Sequence, residues 1–413
     1  MTASETVRLS ELCDLIAEPV RPGGRPDALY LGLEHLASGH LVRIGGGKAA
    51  DMRSNTSAFK PGDVLYGKLR PYLDKAVLAK EAGVCTTELL VLRPNAGVDA
   101  RFLAAVVHSP GFLEYAVAGT TGVQHPRTSW AHIRKFGVTA FTLDEQRRIA
   151  DLLWLVHEAI SRSETLVEEG QALKRAAMRT MFTRGLRGEV QKDTEIGPMP
   201  ENWKVVSFRS VREKLQYGTS VRCTYDVSER PVLRIPNIEP QCVNADDLKY
   251  CALSSSDAAR YQLEDGDLLF IRTNGVLDRL GSCAVYEGHP ANALFASYLI
   301  RARVRPDHVV PHFAASFFGS EHGTSIVAGR AISASDGKFN LNTAAIDSLL
   351  LPLPPTLSEQ REIITILDAI DHKIELHRRK RTTLEELFKA LLHRLMTGEI
   401  RAGDITLNRI DYL

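Results

Sequence analysis

The chain has 413 residues, 44% of them hydrophobic and 24% charged, with a formal net charge of +1, a composition typical of a globular protein with room for two or more cores. No apolar run approaches the roughly 18 residues of a membrane span, residues 1–13 lack a signal-peptide pattern, and the six cysteines form no C-x-x-C pair, so we expect a cytoplasmic protein with reduced cysteines and no membrane partner. Residues 1–142 carry 16 Lys and Arg against 13 Asp and Glu, and residues 191–356 carry 17 against 19, so neither half is predicted to be a sequence-blind phosphate clamp.

Residues 1–142 form the first predicted domain, a mixed α/β region rich in short strands. A Gly-Asp turn introduces an apolar strand within residues 59–79, and a second strand follows in residues 88–94. A helical stretch around Phe102 comes next. Apolar runs bounded by turn residues are typical of strands that share one core.

Residues 143–190 are predicted to form the first long spacer helix. Thr142 or Asp144 supplies a start signal, and apolar residues then recur at spacings of three and four up to a stop signal near Gly185. Such a helix is about 60 Å long at 1.5 Å per residue. Because average helices have about 11–12 residues, this length favours a long partner helix.

A linker containing proline and glycine, residues 188–203, leads into the second predicted domain, residues 191–356. This domain again has a Gly-Asp turn with an apolar strand, within residues 263–286, a second strand in residues 298–306, and a helical stretch around Phe313. The order of elements is that of the first domain, whereas the residues between the strands differ. The two domains are therefore predicted to share a framework and to differ in their loops.

The second long spacer helix and a C-terminal tail occupy residues 357–413, and this helix repeats the first at a constant offset of 214 positions. It follows the proline-rich residues 351–355, begins at Thr356 or Ser358, and is predicted to end near Gly398. Solenoid repeats have periods of about 20–50 residues, so this long period indicates a duplicated domain with its helix. The identical pairs are Leu143/Leu357, Glu145/Glu359, Gln146/Gln360, Arg147/Arg361, Ile149/Ile363, Leu153/Leu367, Ile160/Ile374, Leu173/Leu387, Ala176/Ala390, Thr183/Thr397 and Arg187/Arg401.

The predicted fold class is α+β, with two tandem mixed α/β domains separated by two long repeated helices. Each helix has an apolar stripe that it cannot bury alone, so we expect the two helices to pack as an antiparallel coiled coil with a pseudo-two-fold relation between the halves. The alternative is that each helix covers only its own domain. The stripe residues are Ile149, Leu153, Val156, Ile160, Val167, Leu173, Ala177 and Met181 in the first helix, and Ile363, Leu367, Ile370, Ile374, Leu384, Leu387, Leu391 and Leu395 in the second.

Sequence motifs for catalysis, metal binding and cofactor binding are missing. The glycine-rich residues 43–50 have Ala49 where a P-loop needs Ser or Thr, and Val42 stands where its first glycine should be. No dinucleotide or adenosylmethionine fingerprint is present, and the thirteen histidines do not cluster at ligand spacing. Glu145 and Glu359, each at a helix start, are interpreted as capping and ion-pair residues. We therefore predict no catalytic residue, metal or cofactor on this chain.

Two domains that each precede an L-x-E-Q-R-x-I helix resemble the specificity subunit of type I restriction-modification systems. The resemblance covers essentially the whole chain. It is carried by the order of several short sequence strings together with the repeated helix. These strings are YLGLEHL (30–36), GKLRPYLDKA (67–76), MPENW (199–203), YGTSVR (217–222) and VLRIPNI (232–238).

The resemblance implies a non-catalytic subunit whose two target-recognition domains each read one half of an asymmetric bipartite site in double-stranded DNA. The paired helices would set the spacer between the half-sites. The implied partners are two adenine methyltransferase subunits and, optionally, restriction subunits that translocate DNA. S-adenosylmethionine, and ATP with Mg²⁺ where a nuclease subunit is present, would be bound by those partners. The alternative function is a protein-interaction scaffold with a coiled-coil core.

Polar residues on loops between the shared strands are the predicted DNA-reading residues, because variation there leaves the core intact. In the major groove, where all four base pairs are distinguishable, Arg and Lys pair with guanine, and Asn and Gln pair with adenine. The candidates are Lys68, Arg70, Tyr72, Lys75, Gln124, His125 and Arg127 in the first domain, and Thr219, Ser220, Arg222, Arg272, Asn274, Arg279, Lys338 and Asn340 in the second.

Overall fold

The protein divides into two compact units, each of which combines one domain with part of both long helices. Unit 1 comprises Met1–Thr165 and His377–Leu413, and unit 2 comprises Leu166–Leu376. The structure is a computed structural model that describes residues 5–227, 229–276, 279–333 and 337–405. Within these ranges no helix has the length and apolar character that crossing a membrane requires.

The first domain consists of short strands and helices that lead into a long helix. Single 3₁₀ turns occur at Leu33–His35, Ala49–Asp51 and Pro71–Leu73. The other elements are β1 (Thr6–Arg8), α1 (Leu9–Leu12), β2 (Cys13–Ile16), β3 (Pro19–Val20), β4 (Leu29–Leu31), β5 (Gly47–Lys48), β6 (Thr56–Phe59), β7 (Val64–Gly67), β8 (Ala76–Leu78), β9 (Gly83–Thr86), β10 (Leu89–Pro94), α2 (Ala100–His108), α3 (Pro110–Ala118), α4 (Trp130–Ile133), β11 (Gly137–Thr139) and the long helix α5 (Leu143–Arg184).

The second domain has a similar succession of elements and also ends in a long helix. It has a 3₁₀ turn at Ile235–Asn237, and another turn, Ala402–Asp404, follows the last helix. Its elements are β12 (Gln191–Thr194), β13 (Gly197–Pro200), β14 (Lys204–Ser207), α6 (Phe208–Val211), β15 (Arg212–Tyr217), β16 (Arg230–Leu233), β17 (Lys249–Cys251), α7 (Ser255–Tyr261), β18 (Asp267–Ile271), β19 (Thr273–Asn274), β20 (Cys283–Tyr286), β21 (Leu294–Phe295), β22 (Leu299–Val304), α8 (Pro311–Phe318), α9 (Glu321–Ala328), β23 (Ile332–Ser333), β24 (Phe339–Asn340), α10 (Thr343–Asp347), β25 (Leu350–Leu353) and the long helix α11 (Leu357–Met396).

The central sheets of the two domains have matching strand orders, which confirms the predicted shared framework. The order is β2-β10-β7-β8 in the first domain and β15-β22-β18-β20 in the second, with antiparallel neighbours throughout. The predicted strand after each Gly-Asp turn is β7 or β18, and both are fully buried. Gly62 and Gly266, which precede them, have φ of +89° and +84°, a conformation that favours glycine.

Each Gly-Asp turn also places a buried carboxylate opposite an arginine of the neighbouring strand. Asp63 is 1% exposed and receives two hydrogen bonds of 2.8 Å from Arg93. Asp267 is fully buried and receives bonds of 2.8 and 2.9 Å from Arg303. Because buried carboxylates need partners, these pairs explain why an aspartate follows the turn in both domains.

The predicted helix lengths and ends are confirmed. Gly185 follows α5 and Gly398 lies just past α11, with φ of +64° and +74°, so each helix stops where the backbone turns left-handed. The repeat at 143–187 and 357–401 thus corresponds to two helices of nearly equal length.

The repeated Glu-Gln pair at the helix starts joins each long helix to its domain. Gln146 accepts a hydrogen bond from the Asp99 N–H (3.0 Å), and Gln360 accepts one from the Val310 N–H (2.8 Å), each at the start of a domain helix. The predicted capping role holds for Glu145, which binds Thr142. It is wrong for Glu359, whose carboxylate instead accepts the indole N–H of the buried Trp203 at 3.0 Å.

The long helices pack antiparallel within each unit, which confirms that part of the fold prediction. In unit 2, Lys174 contacts Asp371, and Arg187, just beyond α5, contacts Glu362. In unit 1, the rings of His157 and Phe388 are in contact, and Thr139, just before α5, bonds to the carbonyl of Met396 (3.0 Å). In both units, residues later in the α5 segment contact residues earlier in α11, as antiparallel packing requires.

Most residues of the predicted stripes are buried or half-buried, with two exceptions that occupy the same repeat position. Leu173 is 57% exposed and Leu387 is 44% exposed. Their assignment to the packed stripe is therefore wrong. Each helix presents an identical leucine to solvent at the repeat offset of 214 residues.

In each domain, one loop forms a hydrogen bond with the pair of long helices. The two bonds lie at equivalent places in the repeat, but they involve different chemical groups. In unit 1 the Leu41 N–H donates to Nε2 of buried His157 at 3.1 Å. In unit 2 the ammonium of Lys174 donates to Gln241 (2.5 Å) and to Asp371 (2.6 Å). His157 and Asp371 are 214 residues apart, so one contact is neutral where its counterpart is charged.

Acid should weaken unit 1 through His157. Burial, reinforced by the nearby His40 and His108, lowers the pKa of His157 to about 4, below its ordinary value of about 6.5. Between these two values only the unfolded state binds the proton, so stability falls by up to about 3 kcal/mol as pH drops from about 6.5 to 4. Urea unfolding of a His157→Gln variant, which keeps an acceptor that does not titrate, should show less acid sensitivity. His393→Gln, at an exposed histidine, should unfold like the wild type; equal pH profiles for all three proteins would contradict the assignment.

Candidate nucleic-acid interface

A small group of paired segments follows the central strand in each domain. In the first domain, Arg127 forms antiparallel bridges with Leu69 and Thr121. In the second, Asn340 pairs with Thr273 and Ile332 through β19, β24 and β23. The pairing pattern is the same, so Arg127 and Asn340 occupy equivalent central positions. We call these groups edge sheet 1 (residues 68–70, 121 and 127) and edge sheet 2 (residues 273–274, 332–333 and 339–340).

Backbone hydrogen bonds hold the loop of edge sheet 1 in place. The Arg70 N–H donates to the Pro126 carbonyl (2.7 Å), the Thr128 N–H donates to the Lys68 carbonyl (3.0 Å), and Thr121 exchanges two bonds of 3.0 Å with Arg127. The loop tip, residues 122–126, projects from this base. Val123, Gln124 and His125 are exposed there, and the valine side chain is completely exposed.

The structure brings together five candidates of the first domain, whereas Lys75 is occupied elsewhere. The Lys75 ammonium donates to the Leu33 carbonyl at 2.7 Å, so its contact with DNA stays a prediction. Tyr72 lies in the turn at residues 71–73 and is 57% exposed. The five candidates in or next to edge sheet 1 are Lys68, Arg70, Gln124, His125 and Arg127.

Glu88 is a structural part of this site that sequence reasoning missed. Its carboxylate accepts hydrogen bonds from Arg127 at 3.0 and 3.2 Å, and its carbonyl accepts the Lys68 N–H at 3.0 Å. The Arg127 guanidinium therefore anchors the loop within the protein. The sequence carried little signal for this pairing, since 39 residues separate the partners.

In the second domain, four candidates lie in or beside edge sheet 2. Arg272 directly precedes β19, and its guanidinium lies 4.7 Å from the centre of the Tyr217 ring. Asn340 is hydrogen-bonded to the hydroxyl of Thr273, and Asn274 accepts the Val276 N–H (2.9 Å). Lys338 is exposed beside β24.

The remaining candidates of the second domain differ in accessibility. Thr219 is 3% exposed, and its hydroxyl accepts the Val221 N–H (3.2 Å), so reading by this side chain stays a prediction. Ser220 and Arg222 are exposed on the loop that follows. Arg279 is exposed and donates to the Ile238 carbonyl at 3.3 Å.

Both edge sheets combine hydrogen-bonding side chains with exposed apolar ones. Val123 and Tyr72 accompany edge sheet 1, and Val276, Tyr298 and Ile332, all more than half exposed, accompany edge sheet 2. Exposed apolar side chains next to polar ones are typical of contact surfaces. Arg, Lys, Asn and Gln supply the donor and acceptor patterns that read bases, and apolar side chains contact the thymine methyl group.

Comparison with known proteins shows which family the chain is similar to. A family model for the type I restriction modification DNA specificity domain matches residues 200–386. The EcoKI specificity subunit of Escherichia coli K12 is 25% identical over 276 residues, covering 66% of this chain and 59% of the relative. The MjaX specificity subunit of Methanocaldococcus jannaschii is 29% identical over 210 residues, covering 50% and 48%. The chain thus matches about half to three-fifths of the length of these relatives.

Solved structures share the fold along nearly the whole chain. The type I restriction-modification S subunit of M. genitalium superposes with a TM-score of 0.59 at 14% identity, covering 95% of this chain and 96% of that one. A chain from work on assembly and conformational transition of the type I R-M system superposes with a TM-score of 0.58 at 18% identity, covering 97% and 99%. The family model over residues 200–386 and the curated relatives thus make this chain similar to type I restriction-modification specificity subunits, and the solved structures show that it shares their fold.

Proposed function

We propose that this chain is the DNA specificity subunit of a type I restriction-modification complex and that each domain reads one half of a bipartite site in the major groove. The observation that carries the proposal is the duplicated edge sheet, in which one backbone pairing presents different side chains in the two domains. Arg127 in one domain stands where Asn340 stands in the other. The Arg127 guanidinium is bound to Glu88, but the loops that these two residues fix carry different side chains. Such differences support an asymmetric site, because different donor and acceptor patterns read different base pairs.

The chain itself is proposed to be non-catalytic. In the described ranges, no three metal-ligating side chains lie close enough together to hold a metal ion. S-adenosylmethionine would be bound by two adenine methyltransferase subunits, and ATP with Mg²⁺ by restriction subunits where these are present. The cytoplasm is the proposed location.

The long helix pair is proposed to set the spacer between the half-sites. Two half-sites read from the same face of DNA lie about one helical turn, roughly 34 Å, apart. Helices of 42 and 40 residues are about 60 Å long at 1.5 Å per residue, which is sufficient for that separation.

The repeated exposed leucines support docking of two copies of one partner. Leu173 and Leu387 are identical, exposed and placed at the repeat offset. Leu173→Asp and Leu387→Asp should each weaken one methyltransferase site at least about thirty-fold, leaving one bound copy in native mass spectrometry. Leu155→Asp is the control, since Leu155 is 51% exposed but alanine occupies its repeat position. Two bound copies in both test variants would contradict this docking surface.

Methylation mapping tests the proposed function directly. Genomic DNA is sequenced after co-expression of this chain with the adjacent methyltransferase and, as a control, after expression of the methyltransferase alone. The expected result is a split, asymmetric, adenine-methylated motif with an unread gap that requires this chain. A stable complex without any new motif would instead favour the alternative function, a protein-interaction scaffold. The second domain, with 17 Lys and Arg against 19 Asp and Glu, gives mild support to that alternative.

A further inference from the structure

We propose that Tyr217 is a positioning residue that determines specificity in the second half-site by holding the guanidinium of Arg272 in a reading geometry. The inference rests on the proposed function, since it assigns a role within the same interface. Tyr217 ends β15, and Arg272 directly follows β18. Neither sequence position by itself predicts that the two side chains meet.

The Tyr217 ring is itself fixed at both ends. Its backbone belongs to β15, which pairs with β22, and Tyr217 lies opposite Ile300. Its hydroxyl accepts the Thr343 N–H at 3.1 Å, at the first residue of α10. The ring is therefore a rigid support that is only about one-third exposed.

Arg272 is held against this support by two contacts. Its guanidinium carbon lies 4.7 Å from the ring centre, and Nη1 donates to the Ser297 carbonyl at 3.4 Å. A planar guanidinium stacks on an aromatic face while its edge stays available for two parallel hydrogen bonds. Guanine offers two acceptors in the major groove that match this edge. Holding the side chain before DNA arrives reduces the entropy lost on binding.

The first domain lacks this support at the equivalent place. Strand register aligns Lys68 with Arg272 and Ala17 with Tyr217. Lysine has no planar group to stack, and alanine stands at the position that the Tyr217 ring occupies in the second domain. The aromatic residue thus occurs in the domain that has arginine at this position, and alanine occurs in the domain that has lysine. This is expected if the ring positions the arginine and is not needed for the fold that both domains share.

The test uses the complete complex with its methyltransferase, with methylation mapping and oligonucleotide binding as readouts. Arg272→Ala should relax one base pair of one half-site by about five- to one-hundred-fold. Tyr217→Leu should relax the same base pair at least about threefold and leave the other half-site unchanged. Tyr217→Phe keeps the ring and its place in β15 but loses the bond to Thr343, so it should retain more discrimination at that base pair than Tyr217→Leu. Tyr217→Leu added to Arg272→Ala should cause no further relaxation.

Distinct results would overturn this role. Wild-type discrimination in Tyr217→Leu, or equal weakening of binding to all sequences, would show that the ring serves only the fold or a phosphate contact. If Tyr217→Leu does not fold, Arg272→Lys decides, because lysine keeps the charge and loses the stack: an unchanged motif overturns the proposal, and relaxation at that base pair supports it. A wild-type complex that gives no motif at all would instead refute the proposed function.

Discussion

Asp267→Ala should lower the unfolding free energy of unit 2 by about 3–5 kcal/mol. The carboxylate is fully buried, bonds to Arg303 at 2.8 and 2.9 Å, and lies 3.9 Å from Arg301, which is 3% exposed. Burial lowers the pKa of Arg301, whereas the bond to Asp267 raises that of Arg303. Removing the carboxylate leaves Arg301 buried without its counter-charge, and that accounts for the large expected loss.

Urea unfolding followed by tryptophan fluorescence measures this effect. Trp203 is the one tryptophan of unit 2, so a Trp130→Phe, Trp154→Phe background reports on that unit alone. Asp63→Ala in unit 1, followed through the tryptophans of that unit, should cost less, about 2 kcal/mol, because the arginine bonded to Asp63, Arg93, is 29% exposed and can turn to water. Asp144→Ala, at an 86% exposed carboxylate, is the control. A loss in Asp267→Ala no larger than in Asp63→Ala would contradict the role of Arg301.

Shortening both long helices by one turn should shorten the unread spacer of the methylated motif by one or two base pairs. Deleting residues 165–168 of α5 and 377–380 of α11 removes four residues from each helix, at positions matched by the antiparallel pairing of Lys174 with Asp371. The lost length is about 6 Å at 1.5 Å per residue, and DNA rises about 3.4 Å per base pair. The half-site sequences should persist, since both edge sheets lie outside the deleted segments.

A matched control separates helix length from helix sequence. Replacing the same eight residues with alanine keeps the helix length and should leave the spacer unchanged. A shortened pair that folds, binds its partner and methylates with the original spacer would refute the proposal that the helices set the distance. Folding is checked by circular dichroism before methylation is mapped.

Several features of the site depend on contacts between distant segments. Arg127 and Leu69 meet only because the loop after α3 returns to the segment after β7, and the Glu88 contact depends on the same return. The sequence identified most of the polar residues of these loops as candidates. It gave no sign that Lys75 binds the Leu33 carbonyl or that Thr219 is buried. Such outcomes depend on sheet register, which residue type alone does not specify.

The sequence by itself determined the duplication, the two long helices with their glycine ends, and the shared Gly-Asp strands, because these follow from local periodicity, turn chemistry and an internal repeat. Only the tertiary structure decided how repeated residues are used. Glu145 caps its helix whereas Glu359 binds Trp203, and Leu173 faces solvent although it lies in the apolar repeat. The physical reason is that a side chain's role depends on the partner that folding brings to it, and those partners lie far away along the chain.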